Sequence, residues 1–224
     1  MYAELHHYPH HYQPRTLSTL STLSITPSGV LTSLASSLGA LSAAAHHVTF
    51  SVFIFFAVFG DAVSQAAQTF LPAAIGRPAA AWAIARRLVV VGALLAVANA
   101  VAAASIVLGL SHVFTNTPAV AARMADIAWV MGGALLVQLS SMATEGMLLA
   151  GRDLLFLLGT YVANAAVVVG ACRGLSGRMD GLVVVWWCVI LFQANRLVVN
   201  WARLLLARRS PLNTRQQLTA VDLS

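Results

Sequence analysis

Five long apolar blocks, separated by short polar links, set the strongest limit on what this chain can fold into. They cover about residues 46–71, 88–111, 124–150, 154–172 and 181–206. Each is close to or longer than the roughly 20 residues that an α-helix needs to cross a bilayer. Only 9% of the 224 residues are charged, and the mean hydropathy is +0.80. Soluble domains carry about 25% charged residues. The expected fold class is therefore all-α integral membrane, with five transmembrane helices and the lipid bilayer as surroundings. A sixth span within residues 17–41 stays open at this stage.

The net charge of +6 comes from thirteen arginines and no lysine. They are dispersed between the apolar blocks, so membrane topology explains them better than a nucleic-acid partner. Links such as Gly151-Arg152-Asp153 are short, which makes neighbouring helices antiparallel. One side then holds Arg77, Arg86, Arg87, Arg152, Arg208, Arg209 and Arg215, and the other Arg123, Arg173 and Arg178. This asymmetry puts the C-terminus on the cytoplasmic or stromal side.

The first 27 residues differ in kind. His6-His7-Tyr8-Pro9-His10-His11 has no second ligand set, so no metal site is expected there. The Ser/Thr-rich stretch Leu17–Leu23 and Arg15, with few acids, have the composition of an organelle transit peptide. Residues 1–27 are expected to be a low-complexity tail, 28–210 the membrane domain, and 211–224 a cytoplasmic or stromal tail. Cys172 and Cys188 have no metal or disulfide spacing and are expected to pack as small apolar residues.

Function in such a chain should rest on its few intramembrane polar groups. Asp61, Gln65 and Gln68 are spaced i, i+4 and i+7 on one helical face. They face either a solute pathway or a packing partner. Gln138 and Glu145 share a face of the third block. Glu145 either reaches the headgroups or pairs with Arg152, or it faces a cavity and exchanges a proton. Gln193, Arg196, Asn200 and Arg203 form a polar stripe on the fifth block. Arg203 is expected to snorkel to the interface. Arg196 either binds organic anions or pairs with Asp61 or Glu145. Asn164 reads as a helix–helix hydrogen bond or a cavity residue. His46, His47 and His112 sit at block ends, where solvated roles are expected. No phosphate-cradling loop and no catalytic Ser/His/Asp arrangement stands out, so neither an enzyme nor a cofactor is expected.

Three motifs carry a family resemblance. Ala44–Val48 with Ser64-Gln-Ala-Ala-Gln-Thr-Phe-Leu-Pro72 resembles the eighth helix of multidrug and toxic compound extrusion (MATE) transporters. Glu145-Gly-Met-Leu-Leu-Ala-Gly-Arg-Asp153 resembles the end of their tenth helix, and Phe192-Gln-Ala-Asn-Arg196 part of their last. The wording is most similar to the plant plastid-envelope branch. The resemblance implies the C-terminal lobe of a two-lobe transporter, with residues 28–41 as the tail of the preceding helix. It implies an antiporter that exports organic solutes, aromatic anions being expected, in exchange for protons or sodium ions. Glu145 and Gln138 are then the cation-coupling candidates, and Asp61, Gln65, Gln68, Asn164, Gln193, Arg196 and Asn200 the cavity candidates. Many cation-coupled members carry an acid where this chain has Gln138. The rival expectation is a non-transporting lobe that needs the N-terminal lobe or a second copy as its partner.

Overall fold

The computed structural model describes residues 29, 31–175, 181–206 and 211–212. Among them are five helices long and apolar enough to cross a membrane, and no strand. They are α1 (Ala40–Phe70), α2 (Pro78–Gly109), α3 (Pro118–Ala150), α4 (Leu154–Leu175) and α5 (Gly181–Leu206). Single turns at Pro72–Ala74 and Ser111–Phe114 sit in the links. The chain is all-α, as its apolar blocks require.

The first three helices start six to ten residues earlier than their apolar blocks. Pro78 and Pro118 occupy the first helical turn of α2 and α3. There their missing N–H costs nothing and their fixed φ suits the helix. Arg86 and Arg87 end the apolar block but are good helix formers, so they do not end the helix. Before α1, residues 31–37 form a short helix that stops at Gly39, whose φ is 100°. Only glycine adopts that backbone readily. The rest of the sixth-span region, the N-terminal tail, the C-terminal tail beyond residue 212, and Arg178, Arg208, Arg209 and Arg215 lie outside the described residues.

Helix α3 is the hub: α1, α2 and α5 all pack on it, and α4 packs mainly on α5. With little hydrophobic force between helices in lipid, association relies on close backbone approach. Helix α2 presents Ala81, Ala85, Leu88, Gly92, Ala96, Ala100 and Ala103 inward at three- and four-residue spacing, all but Leu88 small. The tightest approach is where α1 crosses α3. A Cβ on Gly146 would lie 2.6 Å from the Ser64 Cα and carbonyl oxygen. Both obstacles are backbone, so the helices themselves would have to separate. Gly146→Ala is expected to destabilise the fold by about 1–3 kcal/mol. Gly159→Ala, where a Cβ meets nothing within 4 Å, should be neutral or mildly stabilising. Unfolding of detergent-solubilised protein by SDS reads both, and equal behaviour of the two variants would contradict this crossing.

The link Gly151-Arg152-Asp153 is a tight turn, but Arg152 rather than glycine takes the positive φ, 57°. Gly151 serves a close approach instead, since a Cβ there would lie 2.9 Å from Pro211 Cγ. Asp153 accepts from Arg203 Nε at 2.6 Å and Nη2 at 3.3 Å, tying the turn to the end of α5. Arg203, expected to snorkel to the interface, is partly exposed there and is also held by a carboxylate.

Candidate functional site

A cavity of about 540 Å³ opens between α1, α3, α4 and α5. Helix α1 contributes Phe50, Phe53, Ile54, Ala57, Val58 and Asp61, which recur at helical spacing down one face. Helix α3 contributes Gln138, Met142 and Glu145, again one face. Tyr161 comes from α4, and Phe192, Gln193 and Arg196 from α5. Five residues singled out in the sequence, Asp61, Gln138, Glu145, Gln193 and Arg196, therefore meet in one place.

The centre of the site is a buried ion pair. Arg196 is 4% exposed, and its Nη2 donates to Glu145 Oε2. The same nitrogen lies 2.8 Å from Tyr161 Oη, and Nη1 donates to Gln193 Oε1 at 2.8 Å. Tyr161 Oη donates in turn to Glu145 Oε1 at 2.6 Å, closing a ring across α3, α4 and α5. The guanidinium also stands 4.9 Å from the Tyr161 ring centroid and 5.4 Å from that of Phe192. A desolvated charge needs such a set of partners to persist in an apolar interior. Of the two acids considered for Arg196, the structure selects Glu145. The alternative pairing of Glu145 with Arg152 does not form.

Asp61 stands exposed on the α1 wall and makes no hydrogen bond or ion pair with the described residues. Gln138 offers a buried Oε1 that has no partner among them. The unspent acceptors here are thus a carboxylate and an amide oxygen.

Four expected cavity residues lie elsewhere. Gln65 and Gln68 are exposed further along α1, and Gln68 Nε2 bonds back to Ser64 of its own helix at 3.3–3.4 Å. Asn164 is buried and clamps α4 to α5, donating to the Phe192 carbonyl at 2.8 Å and accepting from Asn195 at 2.9 Å. Asn200 is buried within 3.5 Å of Thr144 Oγ1 on α3. A shared face fixed which side of a helix these residues occupy, but not what lay opposite. Tyr161 and the phenylalanines were missed. Tyr161 carried a readable signal, because a phenol inside an apolar helix must find a hydrogen-bond partner. His46 also departs from expectation. It is buried, stacked on Phe50 with ring centroids 5.5 Å apart, and near Trp186 at 5.8 Å. With Phe53 these rings back the cavity wall.

Two solved structures share this fold over 94% of the chain. One is a multidrug resistance MATE family transporter of the MOP superfamily in an outward-facing conformation, with TM-score 0.74 and 14% identity. The fold is that of one lobe of a MATE transporter. The other is a MOP superfamily transporter from Pyrococcus furiosus Vc1 (DSM3638), with TM-score 0.71 and 16% identity. For that protein a reverse polarity of the binding pocket suggests a different function. The chain spans about half of each, 46% of its length. No protein-family model and no curated protein matches the sequence. In the MATE-lobe fold of this chain, the ion-pair ring sits inside one lobe, while Asp61, Gln65 and Gln68 follow one another along an exposed stripe of α1.

Proposed function

We propose that this chain forms one lobe of a secondary antiporter that exports organic solutes by alternating access, driven by protons or sodium ions. A second lobe, from a longer chain or a second copy, would complete the cavity, because one lobe has nothing to rock against. The plastid envelope is the membrane proposed, on the motif resemblance and the Ser/Thr-rich N-terminal stretch.

The observation that carries the solute reading is the state of Arg196. The expected preference for aromatic anions needed a free guanidinium. Here Glu145, Tyr161 and Gln193 take up three of its five N–H donors, and Asp61 is left unpaired beside aromatic walls. Two carboxylates against one guanidinium, with ring faces around them, favour an aromatic cation or amine.

The test is efflux from proteoliposomes holding the full protein, with an aromatic amine and an aromatic carboxylate as competing solutes. The amine should be preferred under an imposed pH or sodium gradient. Asp61→Asn should lower its transport about ten-fold and leave the carboxylate unchanged. Preferred transport of the carboxylate would return the reading to an anion held by Arg196.

A further inference from the structure

A second cleft, on the far side of α3, is not used by this reading. Helices α2 and α5 both pack on α3 but hardly touch each other. Between them lies a cleft of about 470 Å³ lined by Trp82, Arg86, Val89, Val90 and Trp201, among others. That size is in the range that holds organic ligands. Its walls are apolar apart from Arg86, and the exposed Arg86 pairs with no described acid.

Depth decides what fits. Helix α2 has 32 residues and is about 48 Å long. The hydrocarbon slab is about 30 Å thick, so about 9 Å of a centred helix projects at each end. Arg86 lies about 12 Å along the helix from Pro78, at the edge of the hydrocarbon. Val89 and Val90 continue into the slab, and Trp82 stands toward the headgroups. Trp201 is about 7 Å from the end of α5, at a matching depth. Tryptophans at that level belong to the interfacial belt. Arg77, Arg87 and Arg152 lie on the same side by the positive-inside count.

We propose that this cleft binds one anionic phospholipid. An acyl chain lies along Val89, Val90 and Trp201, and the phosphate pairs with Arg86. The complementarity is twofold: a lone cation at phosphate depth above an apolar trough at acyl depth.

The probe is phosphatidylglycerol. Full-length protein is placed in nanodiscs of equal parts phosphatidylglycerol and phosphatidylcholine, then stripped with detergent, and the retained lipid is weighed by native mass spectrometry. One basic contact near the surface predicts about a five-fold preference for phosphatidylglycerol. Arg86→Gln should bring the two lipids to parity, and Arg86→Lys should keep the preference. Arg87→Gln, exposed and outside the cleft, should also keep it. Val90→Trp should expel both lipids by filling the trough. Parity in the unaltered protein, or equal losses from Arg86→Gln and Arg87→Gln, would mean a diffuse basic surface and overturn the site.

Discussion

Arg196→Ala is expected to cost about 3–5 kcal/mol of stability, the largest effect of any single change in the site. The loss comes less from the missing attraction than from what stays behind. Glu145 is 13% exposed and would keep Tyr161 as its one hydrogen-bond donor. Gln193 would lose the cation that fills its carbonyl, and Phe192 a flat partner for its ring. Reversible SDS unfolding in mixed micelles measures the loss. Two companions separate a charge effect from a packing effect. Arg196→Met with Glu145→Leu removes both charges and fills the space, and should recover most of the stability, as buried pairs replaced by apolar groups do elsewhere. Exchanging the two residues should recover part of it. If Arg196→Ala stays within about 0.5 kcal/mol of the parent, as ordinary surface substitutions do, the ring is not a structural element.

How far the site could be read in advance follows from what periodicity encodes. Helix existence was legible because twenty apolar residues leave few choices in lipid. Helix starts were not, because hydropathy marks the hydrocarbon slice while Pro78, Pro118 and Gly39 mark the helix ends. The Gln138–Glu145 and Gln193–Arg196 faces were legible from spacing. The partnership of Arg196 with Glu145 was not, since 51 residues separate them and Asp61 offered the same chemistry. Gln65, Gln68, Asn164 and Asn200 share the residue types of cavity walls, but the first two lie beyond Asp61 along the same stripe of α1, past the cavity lining. The others bond between helices. His46 sat where an apolar block began, and the helix extends beyond it to Ala40, so it is buried rather than interfacial.

Glu145→Gln should reduce proton-driven efflux to background. Glutamine keeps the shape, its one carbonyl oxygen can still accept from Arg196, and its NH2 can donate to Tyr161 Oη, so the fold should survive better than in Arg196→Ala. What it lacks is an exchangeable proton. When Glu145 takes up a proton, its negative charge disappears while the Arg196 guanidinium stays charged. An uncompensated guanidinium in an apolar interior is costly, so Arg196 must move toward Asp61 or water. Either move opens the ring that joins α3, α4 and α5. In the antiporter proposed above, proton uptake would thereby be tied to a rearrangement among three helices, which is what alternation needs. The glutamine variant resembles the protonated state permanently. Its affinity for an aromatic amine should be lower than the parent's and should have lost the parent's dependence on pH. Titrating amine binding by tryptophan fluorescence across pH reads this without requiring transport. A pH profile unchanged by Glu145→Gln, with efflux undiminished, would remove Glu145 from coupling and leave the ring a purely structural clamp.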